Sequence, residues 1–317
     1  MTSRIQHQGY IPKEMAYDRL DQAVVALFPQ YSRSRLQTWI RSGELVVDGQ
    51  PGKSKDKVLG GELVEIDATT ESIADEAEDI PFEIIFEDES VLVVNKRAGL
   101  VVHPGAGNPR GTLLNALLHH LPVLSEIPRA GIVHRLDKDT TGLMVVAKTL
   151  LSQKGLVEQL QQHTVRRLYE AIVYGTPPHH GSVNASIERH PVHRTRMAVR
   201  DDGKKAITHY RILHSFSCHT HMEFSLETGR THQIRVHMQH LGFPLVGDAV
   251  YGGQFRQPKV RDELLSSSLR SFGRQALHAR ELSFRHPVSN AVIEFRIPLP
   301  GDISALLSTL YGAEDNR

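Results

Sequence analysis

The N-terminal part of the chain changes from helical to strand-like spacing of its apolar positions. One helical face carries Leu36, Trp39 and Ile40 in the segment SRSRLQTWIRSG, and a glycine ends this helix. The following ELVVDGQ predicts a short strand that enters a tight Asp-Gly turn, and KVLGGELVEID supplies further strand. We therefore expect a small unit of helices and short strands over residues 14–67, preceded by a flexible lead over residues 1–13.

An acidic segment separates this unit from a second, longer pattern. Residues 68–80 carry few large apolar side chains, which is typical of a linker. Beyond it, short apolar runs such as VLVV, LMVVAK, LYEAIVYG and HMEFSLE predict strands, whereas TLLNALLHHL and THQIRVHMQHLG predict helices. Strands mostly follow one another without an intervening helix. The pattern predicts an α+β domain over residues 81–312, with a mixed, largely antiparallel sheet flanked by helices and loops, and a tail over 313–317.

Length and composition narrow the class of protein. The chain has 317 residues, enough for two domains, and 40% of them are hydrophobic. No apolar run is long enough to span a bilayer, and the N-terminus lacks the apolar core of a signal peptide, so we expect a cytoplasmic protein with no membrane partner. The single cysteine, Cys218, excludes an intrachain disulfide and any metal site built from several cysteines.

The net charge of +1 says less than the distribution of the charges. Basic residues concentrate in residues 186–211, SIERHPVHRTRMAVRDDGKKAITHYR, and on the predicted N-terminal helix. Such a basic surface favours a polyanionic partner, but solvated basic loops are also common. Charge alone leaves the two interpretations open.

Several familiar chemical motifs are missing from the sequence. Neither G-x-G-x-x-G nor G-x-x-x-x-G-K-[ST] occurs, so a nucleotide-binding loop has no support, and G-x-S-x-G is also missing. The segment HSFSCHTH places His214, Cys218, His219 and His221 close together, but its spacing matches no common metal motif. We therefore expect no metal site.

Three short polar segments remain as candidates for chemistry, namely HRLDKD, RRLYE and GRTHQIR. Each has a structural interpretation, because Asp137 could brace a turn, Tyr169 could be a core aromatic, and Arg235 could form a surface ion pair. Together they supply a carboxylate, a cation and an aromatic platform. This set could hold and attack a flat base if the fold brings the three residues together, and the sequence alone leaves both interpretations open.

The segments GIVHRLDKDTTGL, RRLYEAIV and ETGRTHQIRVHMQHLGFPLVGDAVYGG closely resemble the motifs of RNA pseudouridine synthases, in the branch that modifies large-subunit ribosomal RNA and some tRNAs. The similarity extends over nearly all of residues 81–300. Residues 17–67 in turn resemble the small RNA-binding module named after ribosomal small-subunit protein four. One departure is Arg97, where members of the family commonly have proline after Asn-Lys.

The resemblance implies a role for each candidate residue. Asp137 corresponds to the catalytic aspartate, which acts either as a nucleophile at the ribose carbon or as a base at the ribose 2′ position. Arg235 corresponds to the arginine that pairs with it, Tyr169 to the tyrosine that stacks on the target base, and Leu277 to an apolar residue of the same pocket. The resemblance also implies that His134 and Arg135 contact RNA, and the positive charge of the N-terminal helix adds Arg33, Arg35 and Arg41 as expected RNA-binding residues.

The resemblance further implies isomerisation of uridine to pseudouridine in 23S ribosomal RNA, within the stem-loop called helix 69, on free RNA or on a large-subunit precursor particle. It implies no cofactor and no metal, and nothing in the sequence demands an oligomer, so we expect a monomer. Two alternatives stay open. One is the same chemistry on other large-subunit or tRNA uridines, and the other is a ribosome-assembly factor that binds RNA and whose catalysis is secondary.

Overall fold

The computed structural model describes residues 2–29, 31, 33–71, 76–105, 107–252 and 263–315. The chain divides into two compact units, Met1–Ala74 and Asp75–Arg317. Among the described residues, no helix combines the length and the apolar character needed to cross a bilayer.

The N-terminal unit packs two helices against an antiparallel sheet with the strand order β1-β4-β2-β3. Its elements are β1 (Thr2–Tyr10), α1 (Leu20–Leu27), α2 (Arg33–Ser42), β2 (Leu45–Val47), β3 (Gln50–Pro51) and β4 (Leu63–Glu71). The apolar stripe of α2 forms the helical side of the core, because Leu36, Trp39 and Ile40 are all buried. The helix predicted from this spacing is therefore confirmed.

Two boundaries predicted for this part of the chain are wrong. The lead expected over residues 1–13 contains β1, which pairs along its whole length with β4. This strand has little apolar pattern, because Ile5 is its only large aliphatic side chain that packs on the core. The linker expected over 68–80 also begins with the end of β4. Farther along the same segment, the Asn115 side chain donates to the Glu76 carbonyl (2.8 Å), so that part is tied to a helix.

The second unit contains eleven strands and five helices among its described residues. The strands are β5 (Glu83–Glu87), β6 (Val91–Lys96), β7 (Thr141–Ala147), β8 (Arg166–Tyr174), β9 (Gly181–Asn184), β10 (Ile187–Arg189), β11 (Met197–Val199), β12 (Ile207–Ser215), β13 (His219–Leu226), β14 (Leu277–Arg285) and β15 (Val292–Arg296). The helices are α3 (Leu113–His120), α4 (Leu150–Gln161), α5 (Gln233–His240), α6 (Glu263–Ser271) and α7 (Gly301–Asp315).

Nine of these strands form one sheet in the order β5-β6-β7-β14-β8-β13-β12-β9, with β15 pairing β14. The pairing of β7 with β14 is parallel, and the other pairings in this sheet are antiparallel. The prediction of a mixed, largely antiparallel sheet in an α+β unit is therefore confirmed. The tail expected over 313–317 is wrong for its first residues, because α7 continues to Asp315, and residues 316–317 lie outside the description.

The central strands direct alternate side chains to two separate apolar cores, as a period of two requires. On β8, Tyr169, Ala171 and Val173 belong to the core that also contains α3 and α5 residues. The intervening Ile172 and Tyr174 belong to the core beneath α6 and α7. Because of this alternation, the first face of β8 opens at its N-terminal end into a cleft between the loops before β7 and α5.

Candidate active site

Asp137 lies in the loop that leads directly into β7, and its side chain reaches a cleft of about 830 Å³. All seven residues of β7 are buried, so this loop stands on one of the most rigid strands of the sheet. The Thr140 backbone N–H donates to the Asp137 carbonyl (3.1 Å), which closes the turn just before the strand. The apolar run after HRLDKD therefore anchors the loop that carries the carboxylate.

Lys96, at the end of β6, stabilises the same loop through hydrogen bonds to its backbone. Its side chain is fully buried, and its ammonium donates to the backbone carbonyls of Lys138 (2.8 Å), Leu100 (2.9 Å) and Arg97 (2.9 Å). Three carbonyl acceptors match the three donors of an ammonium group. Arg97 itself is exposed and contributes its carbonyl to this arrangement, which any residue at that position could supply.

Arg235 on α5 joins two carboxylates in the floor of the cleft. Its Nη1 donates to Asp137 Oδ2 (2.8 Å), while Nε and Nη2 donate to the two oxygens of Asp248 (2.7 and 2.9 Å). Burial alone would lower the pKa of Arg235, but the hydrogen bonds and charges of Asp248 and Asp137 raise it well above its ordinary value. Arg235 is therefore a permanent cation beside Asp137.

Asp248 was not among the residues singled out from the sequence, although it orients the whole cluster. Its side chain is fully buried, and besides Arg235 it accepts the backbone N–H groups of Val250 and Tyr251, each at 3.0 Å. A bidentate pair of this kind fixes the plane of the guanidinium group. Asp248 lies within the segment that resembles the family motifs, but its local pattern, an aspartate after a buried apolar run in PLVGDAVYGG, is one that many turns share.

Tyr251 extends this cluster toward the other oxygen of Asp137. The guanidinium carbon of Arg235 lies 5.0 Å from the centre of the Tyr251 ring. The Tyr251 hydroxyl accepts the backbone N–H of Met197 (2.9 Å) and forms a hydrogen bond with Nδ1 of His232 (2.7 Å). On its other side, His232 Nε2 lies 3.9 Å from Asp137 Oδ1. Asp137 is thus approached by a cation at one oxygen and by an imidazole at the other.

Tyr169 and Leu277 line the same cleft as Asp137 and Arg235. Tyr169 is on β8 and Leu277 begins the adjacent β14, so neighbouring strands hold both side chains. Burial raises the pKa of the Tyr169 hydroxyl, and the Asp137 charge acts in the same direction, against the opposing effect of Arg167. The fold therefore brings together the carboxylate, the cation, the aromatic ring and the apolar residue that were proposed from the sequence.

The two residues expected to face RNA from the Asp137 loop differ in their surroundings. Arg135 is exposed at the rim of the cleft. His134 is half-buried, and its Nε2 accepts the backbone N–H of Val145 on β7 (3.0 Å). Burial, followed by the charge of Arg167, lowers the pKa of His134 to about 3, so its ring is neutral. His134 is consequently held on the strand and does not project freely from the loop.

The arginines proposed to bind RNA in the N-terminal unit also differ in their exposure and in their ion pairs. Arg33 donates to Asp21 Oδ2 (2.7 Å), and its side chain keeps 51% of its surface exposed. Asp21 is fully buried and also binds Arg19, so Arg33 is partly committed to this ion pair. Arg41 is exposed, and the Arg35 side chain lies outside the described part of the structure.

The basic segment 186–211 contains the β10–β11 hairpin, whose connection exposes Arg194 and Arg196. Arg200, in the same segment, is paired with Asp202 (2.6 Å). Within the described ranges, no group of three or more His, Cys, Asp or Glu side chains is arranged to hold a metal ion. The exposed basic residues of this segment therefore include the hairpin connection and also Arg189, Lys204 and Lys205.

Comparison with known proteins identifies the families that the two parts of the chain resemble. A family model described as RNA pseudouridylate synthase matches residues 90–240, and one described as S4 domain matches residues 18–64. The chain is 54% identical to Ribosomal large subunit pseudouridine synthase D of Salmonella typhimurium over 98% of this chain and 96% of that protein. The protein of the same name from Pseudomonas aeruginosa is 54% identical over 98% of this chain and 97% of its own length.

Among solved structures, Human RNA Pseudouridylate Synthase Domain Containing 4 has a TM-score of 0.56 and 26% sequence identity. The match covers 72% of this chain and 93% of the human one. Human RNA Pseudouridylate Synthase Domain Containing 1 has a TM-score of 0.53 at 22% identity, over 74% of this chain and 96% of that chain, which bears on the fold alone.

Proposed function

Because the chain belongs to the RNA pseudouridylate synthase family, we propose that it converts specific uridines of large-subunit ribosomal RNA to pseudouridine with Asp137 as the catalytic residue. The observation that supports this best is the convergence of Asp137, Arg235, Tyr169 and Leu277 in one cleft. A carboxylate paired with a buried cation, beside an aromatic ring, suits a reaction on a flat base attached to a ribose.

The isomerisation requires no net oxidation or reduction. The bond between N1 of uracil and C1′ of ribose breaks, the ring rotates, and C5 forms the new bond to C1′. C5 loses its proton and N1 gains one, so atoms and electrons balance. Asp137 attacks C1′ or removes a proton at the ribose 2′ position, and in both routes Arg235 orients its carboxylate from Oδ2. Tyr169 is placed to support the ring during its rotation.

The cleft admits a base only after the base has left its stack. Extruding a nucleotide costs a few kcal/mol, least where it is unpaired, so a loop is a more accessible target than a duplex. The large-subunit specificity in the names of the relatives supports a substrate in 23S ribosomal RNA. Within that RNA we propose the helix 69 stem-loop, and other large-subunit or tRNA uridines are the alternative.

Purified protein presented with separate transcripts of helix 69, other large-subunit segments and tRNA tests the substrate directly. We expect pseudouridine, mapped by chemical probing, in the helix 69 transcript. The Asp137→Ala protein should form none, whereas Asp139→Ala, which removes a carboxylate from the same loop, should retain most of the activity. Equal modification by wild type and Asp137→Ala would exclude the catalytic assignment.

The exposed tip of the basic hairpin also suits a second candidate role, in which RNA binding matters more than catalysis. Ribosome assembly in cells that carry only Asp137→Ala separates the two roles, because a pure binding function survives this substitution. For the N-terminal unit, Arg41→Ala should weaken RNA binding and reduce its salt slope by about one. The same slope in both proteins would argue against a phosphate contact at Arg41.

A further inference from the structure

Arg167 lies two residues before Tyr169 on β8, so the two side chains point to the same face of the strand. Both line the cleft that contains Asp137. Arg167 is 8% exposed, which is unusual for a charged residue without a partner. Its position places a cation inside the cleft, next to the aromatic ring proposed to support the base.

The surroundings of Arg167 contrast with those of other shielded arginines in the unit. Arg235 binds Asp137 and Asp248, Arg274 binds Asp302, and Arg280 binds Glu170. Arg167, by comparison, has no hydrogen-bond or ion-pair partner for its guanidinium group within the described part of the chain, and its Nε, like that of Arg280, is buried without an acceptor. Burying a charge in this way is expensive unless a partner arrives from elsewhere.

A second buried donor in the same cleft also lacks an acceptor. Because His134 Nε2 accepts the Val145 N–H, the proton of the neutral ring is on Nδ1. That Nδ1 atom is buried and has no partner among the described residues. His134 and Arg167 both line the cleft that contains Asp137. The unpaired guanidinium group of Arg167 complements an anion with several oxygen acceptors.

The backbone of the loop before α5 passes close to Arg167. Gly229, in the loop before α5, packs against the guanidinium group, and a Cβ at that position would lie 3.0 Å from Nη1. The absence of a side chain there keeps the guanidinium group in place against backbone. A planar guanidinium fork matches the oxygens of a phosphate better than a single point charge does.

We propose that Arg167, assisted by His134, forms a phosphate-binding site for the RNA backbone next to the target nucleotide. This inference rests on the proposed function for the identity of its ligand, since RNA supplies one phosphodiester for every nucleotide. Tyr169 shares a face of β8 with Arg167 and lines the same cleft as Asp137. A base over Tyr169 would thus have its ribose toward the carboxylate and its phosphate toward the arginine.

A charge-deletion cycle tests the contact. Wild type and Arg167→Met bind the target RNA in two forms, one unmodified and one with a neutral methylphosphonate at a phosphate flanking the target uridine. For one of the two flanking positions, neutralisation should weaken binding to wild type roughly 10- to 100-fold. It should weaken binding to Arg167→Met less than about 2-fold, because removing either partner of a contact already removes that contact. Equal losses in both proteins at both positions would overturn the proposal.

Stability supplies an independent readout. Since Arg167 is a buried charge without an internal partner, Arg167→Met should unfold at a temperature no lower than wild type. Arg280→Met is the matched control, because it leaves the buried Glu170 carboxylate without its arginine and should unfold earlier. If Arg167→Met loses as much stability as Arg280→Met, the charge has a structural role and the proposal fails.

Two further variants keep the outcomes separable. Arg167→Lys retains the charge without the fork, and it should lose part of the wild-type sensitivity to the neutral linkage. Arg230→Met removes an exposed cation from the cleft rim, and it should leave that sensitivity unchanged. The cycle measures binding and not isomerisation. Wild type that binds with this sensitivity but forms no pseudouridine would therefore refute the proposed function and leave the phosphate site standing.

Discussion

The two carboxylates that share Arg235 should differ in whether the same substitution mainly affects stability or mainly affects turnover. Asp248 accepts four N–H groups, two from Arg235 and one each from Val250 and Tyr251, and its side chain is 0% exposed. Asp137 accepts one from Arg235, and its side chain is 15% exposed. Replacing either residue with asparagine preserves its shape and removes its charge, so the difference in effect measures the surroundings.

For Asp248→Asn, the buried guanidinium group loses its bidentate partner and meets an amide N–H₂ group in place of one oxygen. Breaking a buried, hydrogen-bonded ion pair costs about 3–5 kcal/mol, which for a unit of this size lowers the unfolding midpoint by roughly 6–20 °C. Arg235 also loses the group that fixes its plane, and a misplaced contact to Asp137 should reduce turnover about 100-fold.

For Asp137→Asn, Arg235 keeps both contacts to Asp248, so no charge is left unpaired in the interior. The loss of one hydrogen bond at the edge of the cleft should cost no more than about 1.5 kcal/mol of unfolding free energy. Turnover should nevertheless fall by at least roughly 10⁴-fold, because the proposed catalytic carboxylate is gone.

Thermal unfolding measures the loss of stability. Single-turnover formation of pseudouridine, assayed at a temperature below the unfolding midpoints of both variants, measures the loss of activity. The expected pattern is a stability loss dominated by Asp248→Asn and an activity loss dominated by Asp137→Asn. If Asp137→Asn destabilises the protein as much as Asp248→Asn, then Arg235 depends on both carboxylates and the division of roles derived from its contacts is wrong.

Three other substitutions test separate parts of the structure. Burial alone would raise the pKa of Asp21, but its arginine and glutamine partners lower it to about 2. The stability that Asp21 provides is therefore complete above about pH 4 and is lost as the pH falls toward 2. Acid titration monitored by the fluorescence of Trp39, the only tryptophan, should show this dependence in wild type and a weaker one in Asp21→Asn. Tyr251→Phe removes the hydroxyl and with it two hydrogen bonds. It should reduce turnover about 10-fold and lower the unfolding free energy by about 1 kcal/mol. Unchanged kinetics would exclude a role of Tyr251 in positioning the site. Gly142→Ala should lower the unfolding midpoint strongly, because the new Cβ would lie 2.2 Å from a backbone oxygen of β14 and the residue has a φ of +119°. The control is Gly155→Ala, whose Cβ would lie 3.5 Å from its nearest neighbour and which should leave the midpoint unchanged or raise it. Calorimetric scans of both variants measure the two midpoints.

The elements that could be predicted from the sequence are those whose local pattern agrees with their place in the fold. The helix with Trp39 and the strand after Asp137 are examples, since each carries an apolar pattern of the correct period. The N-terminal strand was missed because Thr2–Tyr10 is mostly polar and is stabilised by its pairing with β4. That pairing depends on residues about sixty positions away, which no local pattern contains.

The residues of the candidate site can also be divided into those recognised from the sequence and those that were missed. Asp137, Tyr169 and Arg235 were recognisable from motif resemblance, but Asp137 and Arg235 are 98 residues apart and only the fold places them in contact. Asp248 and Arg167 were missed for a different reason. An aspartate in a glycine-rich turn and an arginine at the start of a strand are ordinary in sequence, and their significance arises from burial and from the partners that surround them.

The partners of the two arginines also suggest how the cleft orients an anionic substrate. Arg235, with its carboxylates Asp137 and Asp248, forms a group with a net charge of −1, since two carboxylates outnumber one guanidinium. That group repels a phosphate, whereas Arg167 attracts one because it has no ion-pair partner among the described residues. A nucleotide in the cleft is therefore favoured in one direction, with its phosphate away from Asp137. If this polarity is real, Asp137→Asn should bind RNA at least as tightly as wild type while being inactive, and weaker binding by that variant would contradict it.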